Sequence, residues 1–146
     1  MSATALGICL VLAAGPGPTP RFVPTRTFTL AWTHSIEKTR WEEDYRVETA
    51  GADGPPVLIA GKARIKGSGA GMEPPAGAVR KGSWYEYQPA LRPAVPLRLT
   101  RSHWTADYDW CMEGRCLPLS AIMPNDGDIT LLYPCAGPQP PPPPHQ

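Results

Sequence analysis

The chain has 146 residues, enough for one domain and little more, and its 14 glycines and 20 prolines argue against a bundle of long helices. Fourteen basic residues face thirteen acidic ones, for a formal charge of +1, so no overall field draws the protein onto nucleic acid or anionic lipid. No apolar run approaches the roughly 18 residues of a membrane-spanning helix, and no stable span is expected in the sequence.

Residues 5–14, Ala-Leu-Gly-Ile-Cys-Leu-Val-Leu-Ala-Ala, have the length of the apolar part of an export signal. The flanks do not fit one. Residues 1–4 carry no Lys or Arg, Leu12 stands where cleavage needs a small side chain, and Ile8 before Cys9 excludes a lipoprotein signal. We therefore read the segment as a first strand beside residues 129–133, with the export signal removed from, or lying upstream of, this chain. Four prolines in residues 15–24 then predict a linker bent over the surface.

Residues 25–34 place Phe28, Leu30 and Trp32 on one face of a strand. Residues 41–48 do the same with Trp41, Glu43, Tyr45 and Val47. Glu43 is the exception on that face, because a carboxylate among apolar side chains must find a partner. Its expected partners are backbone N–H groups of a nearby glycine loop or His34. After a turn at residues 51–56 come short strands at 57–60 and 63–66, broken at Gly61. Residues 66–75, Lys-Gly-Ser-Gly-Ala-Gly-Met-Glu-Pro-Pro, form a glycine-dense loop with a stiff exit. Further strands are predicted at 84–87, 97–101, 106–112, 115–119 and 129–133. Many short strands with frequent turns predict an all-β, single-domain sandwich or partly open barrel of mainly antiparallel strands. The domain is expected over residues 1–135, with 136–146 as an extended proline-rich tail.

Cys9, Cys111, Cys116 and Cys135 form an even set that fits two disulfides, a metal site or unrelated buried thiols. A two-residue turn at Glu113-Gly114 sets Cys111 opposite Cys116 in a non-hydrogen-bonded pair, where a Cα separation of about 4.5 Å suits a cross-strand bridge. Zinc is disfavoured because Cys9 and Cys135 stand alone rather than in a second knuckle. If the first and last strands lie side by side, Cys9 and Cys135 bridge as well. Both links call for an oxidising compartment and hence an exported protein.

Candidates for chemistry are weak. His34-Ser35 lacks a nucleophile elbow, and neighbouring strand residues point to opposite faces. Gly67-Ser68-Gly69-Ala70-Gly71 lacks the Lys-Ser/Thr of a phosphate-binding loop and leads into prolines instead of a helix. His34, His103, Met72 and Met112 share no spacing that would define a copper site. Trp32 and Trp41 are expected in the core, which leaves Trp84 and Trp104 for binding. No catalytic set, metal or cofactor is expected.

The segment Thr33-His34-Ser35-Ile36-Glu37-Lys38-Thr39-Arg40-Trp41-Glu42-Glu43, followed by Gly67-Ser68-Gly69-Ala70-Gly71-Met72, resembles a bacterial family of small exported proteins, domain of unknown function 1850. Its first motif is T-H-S-V-x-x-T-x-V-x-E and its second a G-A-G loop about thirty residues on. The resemblance runs from the N-terminal strand through Cys135. It implies an accessory role beside TRAP transporters of the TAXI type, which import organic acids or amino acids through a separate binding protein. His34, Ser35, Glu43, Gly69, Ala70 and Gly71 carry over as motif positions without assigned chemistry. The expectation is therefore a periplasmic, disulfide-stabilised β domain, not an enzyme, that contacts the transporter's membrane component or its binding protein. The rival reading is a small-ligand binder or enzyme with its pocket between the His34–Glu43 segment and the Gly67–Gly71 loop.

Overall fold

The computed structural model describes residues 4–15, 19–33, 38–67 and 76–139. Among these the chain forms β1 (Thr4–Leu12), β2 (Arg21–Val23), β3 (Thr27–Thr33), β4 (Arg40–Thr49), β5 (Pro56–Lys66), β6 (Val79–Lys81), β7 (Trp84–Tyr87), β8 (Leu97–Thr100), β9 (Asp109–Met112), β10 (Arg115–Pro118) and β11 (Ile129–Pro138). A single 3-10 turn at Leu119–Ala121 follows β10. The strands make two antiparallel sheets, one ordered β2-β1-β11-β8 and the other β10-β9-β3-β4-β5-β7-β6. The sheets face each other as an open sandwich, as the all-β expectation requires.

Alternation decides which side chains meet between the sheets. Ile8, Leu10, Leu99 and Leu132 come from the smaller sheet, and Phe28, Leu30, Tyr45, Val47, Leu58 and Trp110 from the larger. Two aromatic stacks order this layer. Phe28 lies between Tyr45 and Trp110, with centroids at 5.3 and 4.4 Å. Trp32 lies between Trp41 at 6.1 Å and Tyr108 at 5.7 Å. The second stack is only half-buried, so Trp32 and Trp41 are not the enclosed core residues that alternation alone predicts.

β1 and β11 are neighbours, joined by nine residue pairs from Thr4↔Pro138 to Leu12↔Thr130. The Cys9–Cys135 disulfide links them. On the same face the Phe22 ring lies over Gly7 and Gly137, where any Cβ would collide with it. Cys111 pairs with Cys116 across the β9–β10 hairpin, at a Cα separation of 4.0 Å, and the two are bridged. Glu113 and Gly114 supply the two consecutive positive φ angles, 53° and 76°, that a tight two-residue hairpin turn needs.

Three expectations are corrected. The proline-rich stretch is not all linker, since Arg21–Val23 pairs with Ile8, Cys9 and Leu10 as an edge strand, a position that tolerates flanking prolines. The strand around Gly61 is unbroken. Asp44 of β4 faces both Gly61 and Lys62, so β5 carries a bulge that turns Ala60 and Ala63 to the same face. The alternation changes phase there, which makes one bulged strand resemble two short ones. Finally, β11 runs to Pro138, and the strand enters what was expected to be tail. Among the described residues β8 pairs only with Ile129–Leu132, so beyond that point β11 has no described strand on that edge, a position that tolerates Pro134 and Pro138.

Candidate functional site

The registers bring the flanks of the two sequence motifs together. Thr33, the end of β3, pairs with Arg40, the start of β4. Trp41 pairs with Ile65, and Lys66 closes β5 against Trp84 of β7. The Gly67 amide donates to the Ser83 carbonyl at 3.2 Å. Both motif connections therefore leave from one end of three adjacent strands. His34, Ser35, Gly69, Ala70, Gly71 and Met72 themselves lie outside the described residues.

Glu43 projects from the inner face near this end, with Leu30 and Ala63 as its cross-strand neighbours. Each of those neighbours is 1% exposed, yet Glu43 is only half-buried. Among the described residues the Tyr45 hydroxyl, two residues along the same face, donates to its Oε1 at 2.8 Å, while the expected partners, His34 and the loop beyond Gly67, lie outside those residues. The alternation places the Tyr45 side chain on the same face as Glu43. Ala63 in turn pairs with Tyr87, so a single methyl separates Glu43 from Tyr87 across the sheet. Burial pushes the Tyr45, Tyr87 and Tyr108 hydroxyls above the ordinary tyrosine range, and the Glu43 charge pushes each further. Three phenols thus lie within electrostatic reach of one carboxylate.

The opposite face of the same sheet carries a second polar arrangement. Arg64 donates to Glu42 at 2.9 Å and to both oxygens of Asp44 at 2.9 and 2.8 Å, while Thr29 donates to Asp44 at 2.7 Å. Arg40 joins Glu42 at 2.9 Å to Asp109 at 3.1 Å. A groove of about 610 Å³ runs along this network beneath the Cys111–Cys116 hairpin. Its charges are spent on one another: the Arg64 guanidinium already serves two carboxylates, so a ligand would have to displace a bidentate pair. We assign this network to the scaffold.

Its acid response follows from the pairing. Burial alone raises the Glu42 and Asp44 carboxyls, but hydrogen bonds and charge from Arg64, with Arg40 at Glu42 and Thr29 at Asp44, outweigh it and hold both below the ordinary carboxylate range. The folded protein therefore takes up these protons at lower pH than the unfolded chain, whose carboxyls titrate near about 4. Their stabilisation is complete above that value and disappears as pH falls through the depressed folded values. Urea unfolding of the wild type and Arg64→Met should differ most near neutrality and converge on acidification. A gap that stays constant down to the acid limit would show that Arg64 acts through packing alone.

The remaining candidates are dispersed. Trp104 is 94% exposed, while Trp84 is half-buried with Lys66 5.7 Å from its ring centre. The His103 ring contacts the Asn125 carbonyl at 3.1 Å in an exposed loop, whereas Met112 packs against the core. All four cysteines are oxidised and so are not thiolate ligands. Among the described residues no three His, Cys, Asp or Glu side chains gather as a metal site, and no helix is long and apolar enough to cross a membrane.

A family model described as a domain of unknown function, DUF1850, matches residues 28–119, more than half of the chain. The match is narrower than the resemblance from the first strand through Cys135. It takes in Glu43 and the Cys111–Cys116 hairpin but leaves the Cys9–Cys135 pair outside. No curated protein and no solved structure matches the chain.

Proposed function

The chain belongs to the DUF1850 family, and we propose that it is an exported bacterial accessory protein acting by non-covalent contact with a TAXI-type TRAP transporter. The surface in this proposal is the end of the larger sheet where the flanks of both family motifs meet beside Glu43 and the Trp32–Trp41 stack. The observation that carries the proposal is that convergence: segments some thirty residues apart leave from the ends of adjacent strands β3, β4 and β5. Two disulfides support export, because such links persist in oxidising compartments. The partner is the transporter's membrane component or its substrate-binding protein, and no bond-making step belongs to the proposal.

Cells encoding both the chain and such a transporter provide the test. Tagged protein should retain transporter subunits on purification, and deletion of its gene should lower substrate uptake. Glu43→Gln should fold with the wild-type urea midpoint, within about 0.5 kcal/mol as expected for a partly exposed isosteric change, yet restore uptake poorly. Normal uptake in the deletion strain, with no subunit retained, would sink the proposal.

A further inference from the structure

We propose that Glu43, walled by Trp41, Tyr45 and Tyr87, forms a receptor for one organic ammonium group. The inference rests on the reading that the motif-bearing end of the sandwich is the functional one, and it gives that surface a ligand chemistry.

Four observations carry it. Glu43 lies between Trp41 and Tyr45 along one face of β4, so an aromatic side chain flanks the carboxylate on each side. Across the sheet the small Ala63 stands between Glu43 and Tyr87, which share its face. Trp32 stacks behind Trp41 and contacts Tyr108, which extends the aromatic wall and holds it in place. Lastly, Glu43, Trp41, Tyr87 and Tyr108 are all half-buried, so the site is partly desolvated but still open to a visiting group.

The chemistry of the visitor follows from these parts. The Tyr45 hydroxyl donates to Oε1 as a neutral group and so brings no positive charge to Glu43. Among the described residues no Lys, Arg or His forms an ion pair with Glu43, although Glu42, Asp44, Glu48, Glu86, Asp107 and Asp109 each have one. A negative charge with aromatic side chains around it favours a cation that is large and weakly hydrated, because ring quadrupoles attract positive charge most strongly where water is excluded. An alkylammonium fits that description and a hydrated potassium ion does not. The group has two available sources, a free small amine or a lysine side chain on a partner protein.

Full-length, disulfide-intact protein is titrated with tetramethylammonium chloride, butylammonium chloride and the blocked tripeptide acetyl-Gly-Lys-Gly-amide, each against potassium chloride at equal ionic strength. The readout is the set of tryptophan indole N–H signals by NMR. Saturable shifts of the Trp32 and Trp41 signals with the ammonium probes, absent with potassium, are expected. Glu43→Gln should weaken binding by about ten-fold or more, the scale of one charge-assisted contact. Tyr87→Leu should weaken it by about two- to five-fold, as loss of one partly exposed aromatic wall implies. Tighter binding of the small amines assigns the site to a free ligand, and tighter binding of the tripeptide assigns it to a partner's lysine. Shifts no larger than those with potassium chloride, or equal binding by Glu43→Gln, would overturn the site. That failure would leave the transporter reading standing if Glu43→Gln still lost uptake, while amine binding without any transporter contact would do the reverse.

Discussion

Replacing Cys9 and Cys135 together by serine is expected to lower the unfolding free energy by up to about 5 kcal/mol, against about 2 kcal/mol for the same exchange at Cys111 and Cys116. The difference comes from the unfolded chain. The first bridge spans 126 positions and ties almost the whole sequence into a loop, while the second spans 5. In the chain-entropy account the restriction grows with the logarithm of loop length, and native strain is subtracted from it. The native state should survive the loss of either link. β1 and β11 remain joined by nine residue pairs in the middle of their sheet, and the hairpin keeps its Glu113-Gly114 turn. Urea unfolding of the two double variants gives the comparison directly, and the Cys9/Cys135 variant should also show a larger m-value as its unfolded state expands. Equal losses would mean that local strain rather than loop closure sets the contribution of each bridge.

The same physics explains what could be read from the sequence. Strand pairs whose alternation is clean, such as β3 and β4, are visible because a half-buried strand needs one apolar face, and the Cys111–Cys116 bridge follows from turn geometry alone. β5 is visible only as two fragments, since a bulge reverses the phase of alternation and nothing in Ala60-Gly61-Lys62-Ala63 distinguishes a bulge from a break. β2 and the last residues of β11 are hidden by prolines, whose effect depends on whether the affected edge is already paired. At the site, parity places Glu43 on the apolar face, and Tyr45, its donor among the described residues, shares that face on the same strand. The Tyr87 approach also requires two strand registers, β4 with β5 and β5 with β7, which no local pattern encodes. The outward network was missed for a related reason: Arg40, Glu42, Asp44 and Arg64 read as an ordinary solvated face until their cross-strand pairing is known.

Asp107→Ala is expected to destabilise the fold by about 3 to 5 kcal/mol, the range for leaving a buried charge without its partner. The charge in question is Arg101, just after β8, whose side chain is fully buried. It donates to both oxygens of Asp107 at 3.0 and 2.6 Å, to the Pro124 carbonyl at 2.9 Å and to the Thr130 hydroxyl at 3.1 Å. One guanidinium thus fixes the connection after β8, the segment before β11 and β11 itself. Truncating Asp107 keeps the cation and removes the anion. Arg101→Met instead removes the cation, and Asp107, with its side chain 15% exposed, can recover some hydration. That variant should cost less, about 1 to 3 kcal/mol for the polar groups it orphans, chiefly Thr130, which is 0% exposed. The double variant Arg101→Met/Asp107→Ala should then be more stable than Asp107→Ala alone, because an apolar side chain no longer leaves a stranded charge. Urea unfolding of the three variants completes the cycle. If the double variant were the least stable of the three, the pair would be a net source of stability rather than a device that orders two loops around β11.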